Sequence, residues 1–87
     1  MIKIGDYIYN DVILKTKKEA KEILMKLKEI FNQYGFIRVA DLYDLSDVNT
    51  NYKDIRYGWT NIEKAEVLRV KEGYMIKMPE IEKLQID

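Results

Sequence analysis

Residues 16–35 read TKKEAKEILMKLKEIFNQYG, and they decide the fold because they are the best-defined element of the chain, long and regular enough for a helix of several turns. Ala20, Ile23, Leu24, Leu27, Ile30, Phe31 and Tyr34 recur at steps of three and four. At 3.6 residues per turn, that spacing puts all seven on one face. Thr16 and Glu19 have the spacing of a capping box, in which the hydroxyl accepts from a backbone N–H and the carboxylate reaches back to the cap. Gly35 stands where a left-handed C-terminal cap is expected. The spacing therefore predicts a helix over 17–34. Its other face carries Lys18, Glu22 and Lys26 at steps of four, a solvated row worth ~0.2–0.5 kcal/mol per pair.

Towards the amino terminus, MIKIGDYIYNDVILK (1–15) is rich in Ile, Val and Tyr and is punctuated by Gly5-Asp6 and Asn10-Asp11. Glycine first suits a type II′ hairpin turn and Asn-Asp a type I′ turn, so the stretch predicts an antiparallel meander of strands 2–4, 7–9 and 12–14. Beyond the helix, 36–39 reads as a short extended link or edge strand. ADLYDLSD (40–47) then fits two helical turns with Leu42 and Leu45 turned inward. Asp41 and Asp44, three apart, have a spacing that a metal or an acid–base pair could use, but it is equally the spacing of an exposed helix face, and we read it so.

The carboxyl-terminal part, AEVLRV, KEG and YMIKMP (65–79), predicts a β-hairpin around a three-residue loop, with Gly73 in the left-handed position and Pro79 ending the second strand. The tail EIEKLQID (80–87) is read as a segment that extends along a neighbouring subunit. The expectation is an α+β fold in one domain over 1–87, with an N-terminal β-meander, one long amphipathic helix, one short helix and a C-terminal β-hairpin.

Composition narrows the function. In 87 residues, 15 Lys and Arg balance 15 Asp and Glu, so no net charge draws the molecule onto nucleic acid or anionic lipid. There is no cysteine and no histidine, which removes disulfides, Cys nucleophiles, His general bases and the Cys/His zinc sets. No apolar run approaches a membrane span and the start lacks the pattern of a signal peptide, so a cytoplasmic location is expected. So small a core also leads us to expect a homo-oligomer.

Between helix and hairpin, periodicity fails. Residues 49–61 read as a long loop, and loops of that length in a compact domain are disproportionately functional. Within it lies YKDIRYGWT (52–60), where aromatic rings alternate with cations around Gly58, taken as a hinge. A ring can stack on a base while a guanidinium grips a phosphate. Tyr52, Arg56, Tyr57 and Trp59, with Arg69 one strand away, are therefore the candidate ligand-binding residues. The competing reading makes Trp59 and Tyr57 a plug between helix and hairpin, with Arg56 lying over them. Gly5, Gly35, Gly58 and Gly73 are scattered singly, so no phosphate-binding glycine signature exists. Helix, short helix and hairpin imitate a winged helix in outline, but no recognition helix stands between 47 and 62, and nucleic acid is not the expected partner.

VADLYDL (39–45), YGWT (57–60) and VLRVKEGYMIKMP (67–79) together resemble a family of small proteins encoded in phages and prophages of Gram-positive bacteria. The correspondence runs over about residues 16–79. It includes Glu19 and Ala20, Tyr34 and Gly35, Tyr52 and Asp54, Gly58 to Thr60, then Arg69, Val70, Gly73, Tyr74 and Pro79. The resemblance brings no catalytic residue, cofactor or metal with it. It implies a genomic setting in which small non-enzymatic proteins often counter host defence. Three functions follow as expectations. The first is a sponge that sequesters a nucleotide immune signal, of cyclic nucleotide or cyclic ADP-ribose type, at Tyr52, Arg56, Tyr57, Trp59 and Arg69. The second is an anti-CRISPR-like inhibitor of a host defence protein, and the third a small nucleic-acid-binding phage protein.

Overall fold

The periodic stretch forms α1 (Lys17–Tyr34) in a computed structural model that describes residues 2–85. The Thr16 hydroxyl accepts from the Glu19 N–H at 3.1 Å, the one half of the predicted box that is formed. At the other end Gly35 takes φ 82°, and its N–H donates to the Phe31 carbonyl at 2.7 Å. Ala20, Ile23, Leu24 and Leu27 are buried, and Ile30 and Phe31 pack partly buried against the same core. Tyr34 departs from expectation: it follows the spacing but lies past the end of the packed stripe, with its ring exposed.

β1 (Ile2–Ile4) and β2 (Tyr7–Tyr9) pair antiparallel, Ile4 opposite Tyr7. Gly5, at φ 57°, is the one residue of their turn with positive φ, as type II′ requires. The predicted meander stops there. Neither Asn10 nor Asp11 takes the positive φ that a type I′ turn needs, and the chain runs on instead of turning back. Asn10 is tied to Tyr43: its N–H donates to the phenol oxygen at 3.1 Å and its carbonyl accepts from the same hydroxyl at 3.3 Å. The third strand, β3 (Ile13–Leu14), therefore pairs with the distant C-terminal hairpin.

β4 (Ile37–Arg38) leads directly into α2 (Val39–Leu45), which starts one residue before the predicted helix. Leu42 and Tyr43 are buried and Leu45 is partly so. Asp41 accepts from the Arg38 N–H at 2.8 Å and lies 3.7 Å from its Nε, so this carboxylate serves the helix start. Asp44 is exposed, and no group of acidic residues among the described residues is arranged to hold a metal ion.

The predicted loop at 49–61 is the main correction. It contains a 3-10 turn (Tyr52–Ile55) and a strand, β5 (Tyr57–Trp59), which is the middle strand of a sheet, between β4 and a strand of the tail at Glu82–Lys83. Gly58 is no hinge: it lies opposite Arg38, and a Cβ there would collide with the Ile37 carbonyl oxygen. Glycine is needed for close approach of two backbones.

β6 (Glu66–Val70) and β7 (Gly73–Lys77) form the predicted hairpin, but its loop is two residues, Lys71 and Glu72, because Val70 already pairs with Gly73. Gly73 does carry positive φ, 148°, and a Cβ on it would collide with the Leu14 carbonyl oxygen of β3. These three strands form a sheet in the order β3–β7–β6, against which α1 packs.

The tail also differs from expectation. β8 (Glu82–Lys83) pairs with β5, Ile81 and Leu84 are buried, and the Leu84 N–H donates to the Arg56 carbonyl at 2.7 Å. These two apolar side chains, shortly past Pro79, find a core in their own chain, so the described part of the tail is built into the domain by β8. Ile86 and Asp87, the rest of that predicted segment, fall outside the described residues. Among the described residues, no helix is long and apolar enough to cross a membrane.

Candidate functional site

The five residues singled out as a nucleotide pocket do not converge. Trp59 is 0% exposed; its Nε1–H donates to the Pro79 carbonyl at 2.8 Å, and Tyr9 meets its ring edge-on at 5.6 Å. Its indole is a core plug, the second of the two roles open to it. Tyr57 is half-buried and stacked flat on Tyr7 at 4.1 Å, so a neighbouring tyrosine already occupies one face of its ring. Arg69 is exposed on β6, in the other three-stranded sheet. Tyr52, 69% exposed, and Arg56, also exposed, are the two that share a surface, at the 3-10 turn and its end.

Polar groups gather instead one turn of chain away, at Asp54. It is 2% exposed and the one buried charged residue among those described. Its Oδ1 accepts from the Tyr7 hydroxyl at 2.6 Å, and its Oδ2 accepts from the Asn51 N–H at 2.8 Å. Asn51 in turn caps the 3-10 turn, its Oδ1 accepting from the Lys53 N–H at 2.8 Å. A buried carboxylate is tolerated when its lone pairs are met in this way. The pair fastens the N-terminal hairpin to the 3-10 turn across 47 residues of sequence.

Three buried phenols, Tyr7, Tyr9 and Tyr43, lie in this part of the core. Burial, and then the bond to Asp54, hold the Tyr7 hydroxyl far above the ordinary tyrosine range. Burial also pushes Tyr9 up, with the charge of Asp11 adding. Tyr43 is raised by burial and by the charges of Asp54 and Asp11, against the opposing effect of its bond to Asn10. All three stay neutral at physiological pH; Tyr7 and Tyr43 act there as hydrogen-bonding groups, while the Tyr9 hydroxyl is buried without a partner among the described residues.

A cleft of about 280 Å³ opens over this cluster. Asp11, Asp54, Asn49 and Asn51 line it with Tyr43 and Ser46, and so do the apolar Ile8, Ile13 and Val48. No basic residue lines it, and the Ser46 Oγ is buried without a hydrogen-bond partner among the described residues. Such a wall accepts hydrogen bonds and favours positive charge; a phosphate would be repelled. It holds neither an activated nucleophile nor a residue set for general acid–base work at neutral pH.

Reading the sequence missed Asp54, Tyr7 and Tyr43. One signal was present: Asn51 and Asp54 repeat the three-residue spacing of a capping box, which both complete here. Nothing local pairs Tyr7 with Asp54. No protein-family model, curated protein or solved structure matches this chain.

Proposed function

We propose that this is a non-enzymatic binding protein, of the counter-defence kind that the resemblance to phage-encoded proteins implies, and that it works by covering a surface of a host protein. One observation carries the reading. Of the seven large hydrophobic residues that stand exposed among the described residues, Ile8, Ile13 and Val48 line the Asp54 cleft, and Tyr52 and Ile55 lie on the 3-10 turn that contributes Asp54 to it. Scattered exposed apolar residues need no explanation, but a concentration of them around one cleft is the mark of a protein-contact surface. A volume of about 280 Å³ is small for a drug-sized ligand and right for a side chain of a partner. The nucleotide sponge built on Tyr52, Arg56, Tyr57, Trp59 and Arg69 is the weaker reading, because three of its five side chains are buried, stacked or on another sheet.

The test is a plating assay. The chain is expressed in a Gram-positive host carrying a defence system that restricts an infecting phage. Wild type should raise phage plating, and Ile13→Asp combined with Val48→Asp should return it to the level of an empty vector with the melting temperature unchanged. A folded double variant that counters defence as well as wild type would remove this face from the function.

A further inference from the structure

The geometry points to a second site, independent of the docking face: a groove between the C-terminal half of α1 and the segment 60–63 that takes a purine nucleotide with a single phosphate group. The groove has a volume of about 480 Å³, inside the roughly 300–1,000 Å³ usual for small-molecule sites, and shares no residue with the Asp54 cleft. Phe31, half-buried, and Ile62, buried, give it an apolar wall and floor. An aromatic ring beside an aliphatic floor is the surface on which a planar base rests.

The polar groups around that wall are the kinds that read a nucleotide. Asn32 makes no side-chain hydrogen bond among the described residues, so its amide keeps a donor and an acceptor side by side, the pair that matches the N6–H and N7 edge of adenine. Lys28 stands one helical turn before Asn32, so the two share a face of α1, and it makes no ion pair among the described residues. Its ammonium is free to meet a phosphate. The Asn61 Oδ1 is occupied by the Glu63 N–H at 2.9 Å, which leaves its NH₂ to donate to the ligand. Thr60 is held from outside, its hydroxyl donating to Glu82 at 2.9 Å. Glu63 is the opposing charge on the rim: it repels further phosphates and can accept from sugar hydroxyls. One lysine against one glutamate limits the site to a monophosphate.

Adenosine monophosphate, adenosine and inorganic phosphate, titrated separately into the ¹⁵N-labelled chain and followed by amide chemical shifts, test this. The monophosphate should move the signals of Lys28, Phe31, Asn32 and residues 60–63. Lys28→Ala should weaken it about two- to fivefold while leaving adenosine unchanged, the range that an exposed charge pair is worth. Phe31→Leu, which keeps an aliphatic side chain against the core, should weaken monophosphate and adenosine alike. Shifts confined to residues outside the groove, none at millimolar monophosphate, or an unchanged affinity in Lys28→Ala would each overturn the proposal, as would inorganic phosphate reproducing the full pattern. The plating assay of the docking face uses none of these residues, so either reading can fail alone.

Discussion

The two halves of this molecule are held together by different physics. Where α1 packs against β3–β7–β6, the contacts are aliphatic: Ala20, Ile23, Leu24 and Leu27 on the helix, Leu14 and Ile76 on the sheet. Around β4–β5–β8 and the N-terminal hairpin, aliphatic residues such as Ile37, Leu42 and Ile81 share the core with four buried aromatic residues, Tyr7, Tyr9, Tyr43 and Trp59, and one carboxylate. Every side-chain hydrogen bond between residues far apart in sequence, among those described, belongs to this second half: Tyr7 to Asp54, Tyr43 to Asn10, Trp59 to Pro79 and Thr60 to Glu82. Aliphatic packing is non-directional and accepts swaps of equal volume. A directional bond leaves an orphaned partner when either end is removed. The second half is therefore the more exactly specified and the less tolerant.

The largest effect should come from its centre. Trp59→Ala should cost about 3–5 kcal/mol, read from urea denaturation, which leaves little of a small domain's stability. That alone does not separate the halves, since Leu27→Ala belongs to a class costing about 2–5 kcal/mol. The sharper pair is conservative. Trp59→Phe removes the N–H that the Pro79 carbonyl accepts and should cost more than Leu27→Met, for which about 1.5 kcal/mol is the ceiling; equal costs would break the contrast.

Next in size is Tyr7→Phe, which deletes one hydroxyl and leaves the buried Asp54 carboxylate a bond short. It should cost about 1–3 kcal/mol by the same assay, and Asp54→Asn should cost less when Tyr7→Phe is already present than in wild type, as coupled partners do. Additive losses would mean that the two do not act as a pair. The smallest effect is the onset of alkaline instability. The folded chain holds the protons of Tyr7, Tyr9 and Tyr43 more tightly than the unfolded chain, whose tyrosines ionise near 10.0. Stability from these groups is complete below that pH and falls as pH rises through it, with about 0.4 kcal/mol lost per tyrosine at the midpoint. Tyr7→Phe should flatten the profile between pH 9 and 11; a stability that held level over that range in wild type would contradict buried neutral phenols.

The same division governs what could be read from the sequence. α1 was legible because seven apolar residues over four turns leave one period possible, and Thr16 and Gly35 mark its ends chemically. The C-terminal hairpin was legible from Gly73 and Pro79, although its loop came out one residue long because Gly73 was counted as turn when it opens β7. The α+β class and the order of elements followed from those. Strand partners did not: β3 and β5 have two and three residues, too few to show an alternation, and their partners lie far away in sequence. Gly58 looked like a hinge because its reason, the Ile37 backbone, is invisible from its neighbours. For the site, Arg56 lies at the surface, as a charged side chain laid over its neighbours should, whereas Tyr52, an aromatic ring expected to need burial, stands exposed. The convergence with Arg69 did not hold; ruling it out requires knowing that β5 and β6 belong to different sheets. Asp54 belongs to the resemblance but was not legible as a site residue, because a lone aspartate between Lys53 and Ile55 gives no sign of being buried.

The pairing of Leu14 with Tyr74 bears on time as well as on energy. β3 cannot find its place until β7 exists, and it does so with the Leu14 carbonyl against Gly73, about sixty residues on along the chain. Closing a long loop adds little to the free-energy cost, since that cost grows only with the logarithm of length, but each such contact lengthens the search. The N-terminal hairpin, which waits for the Tyr7–Asp54 bond across the rest of the chain, should be among the last parts to lock. A nascent chain will spend that interval with its aromatic strands uncovered, and it is then, rather than in the finished fold, that it is most open to capture by a chaperone or by another copy of itself.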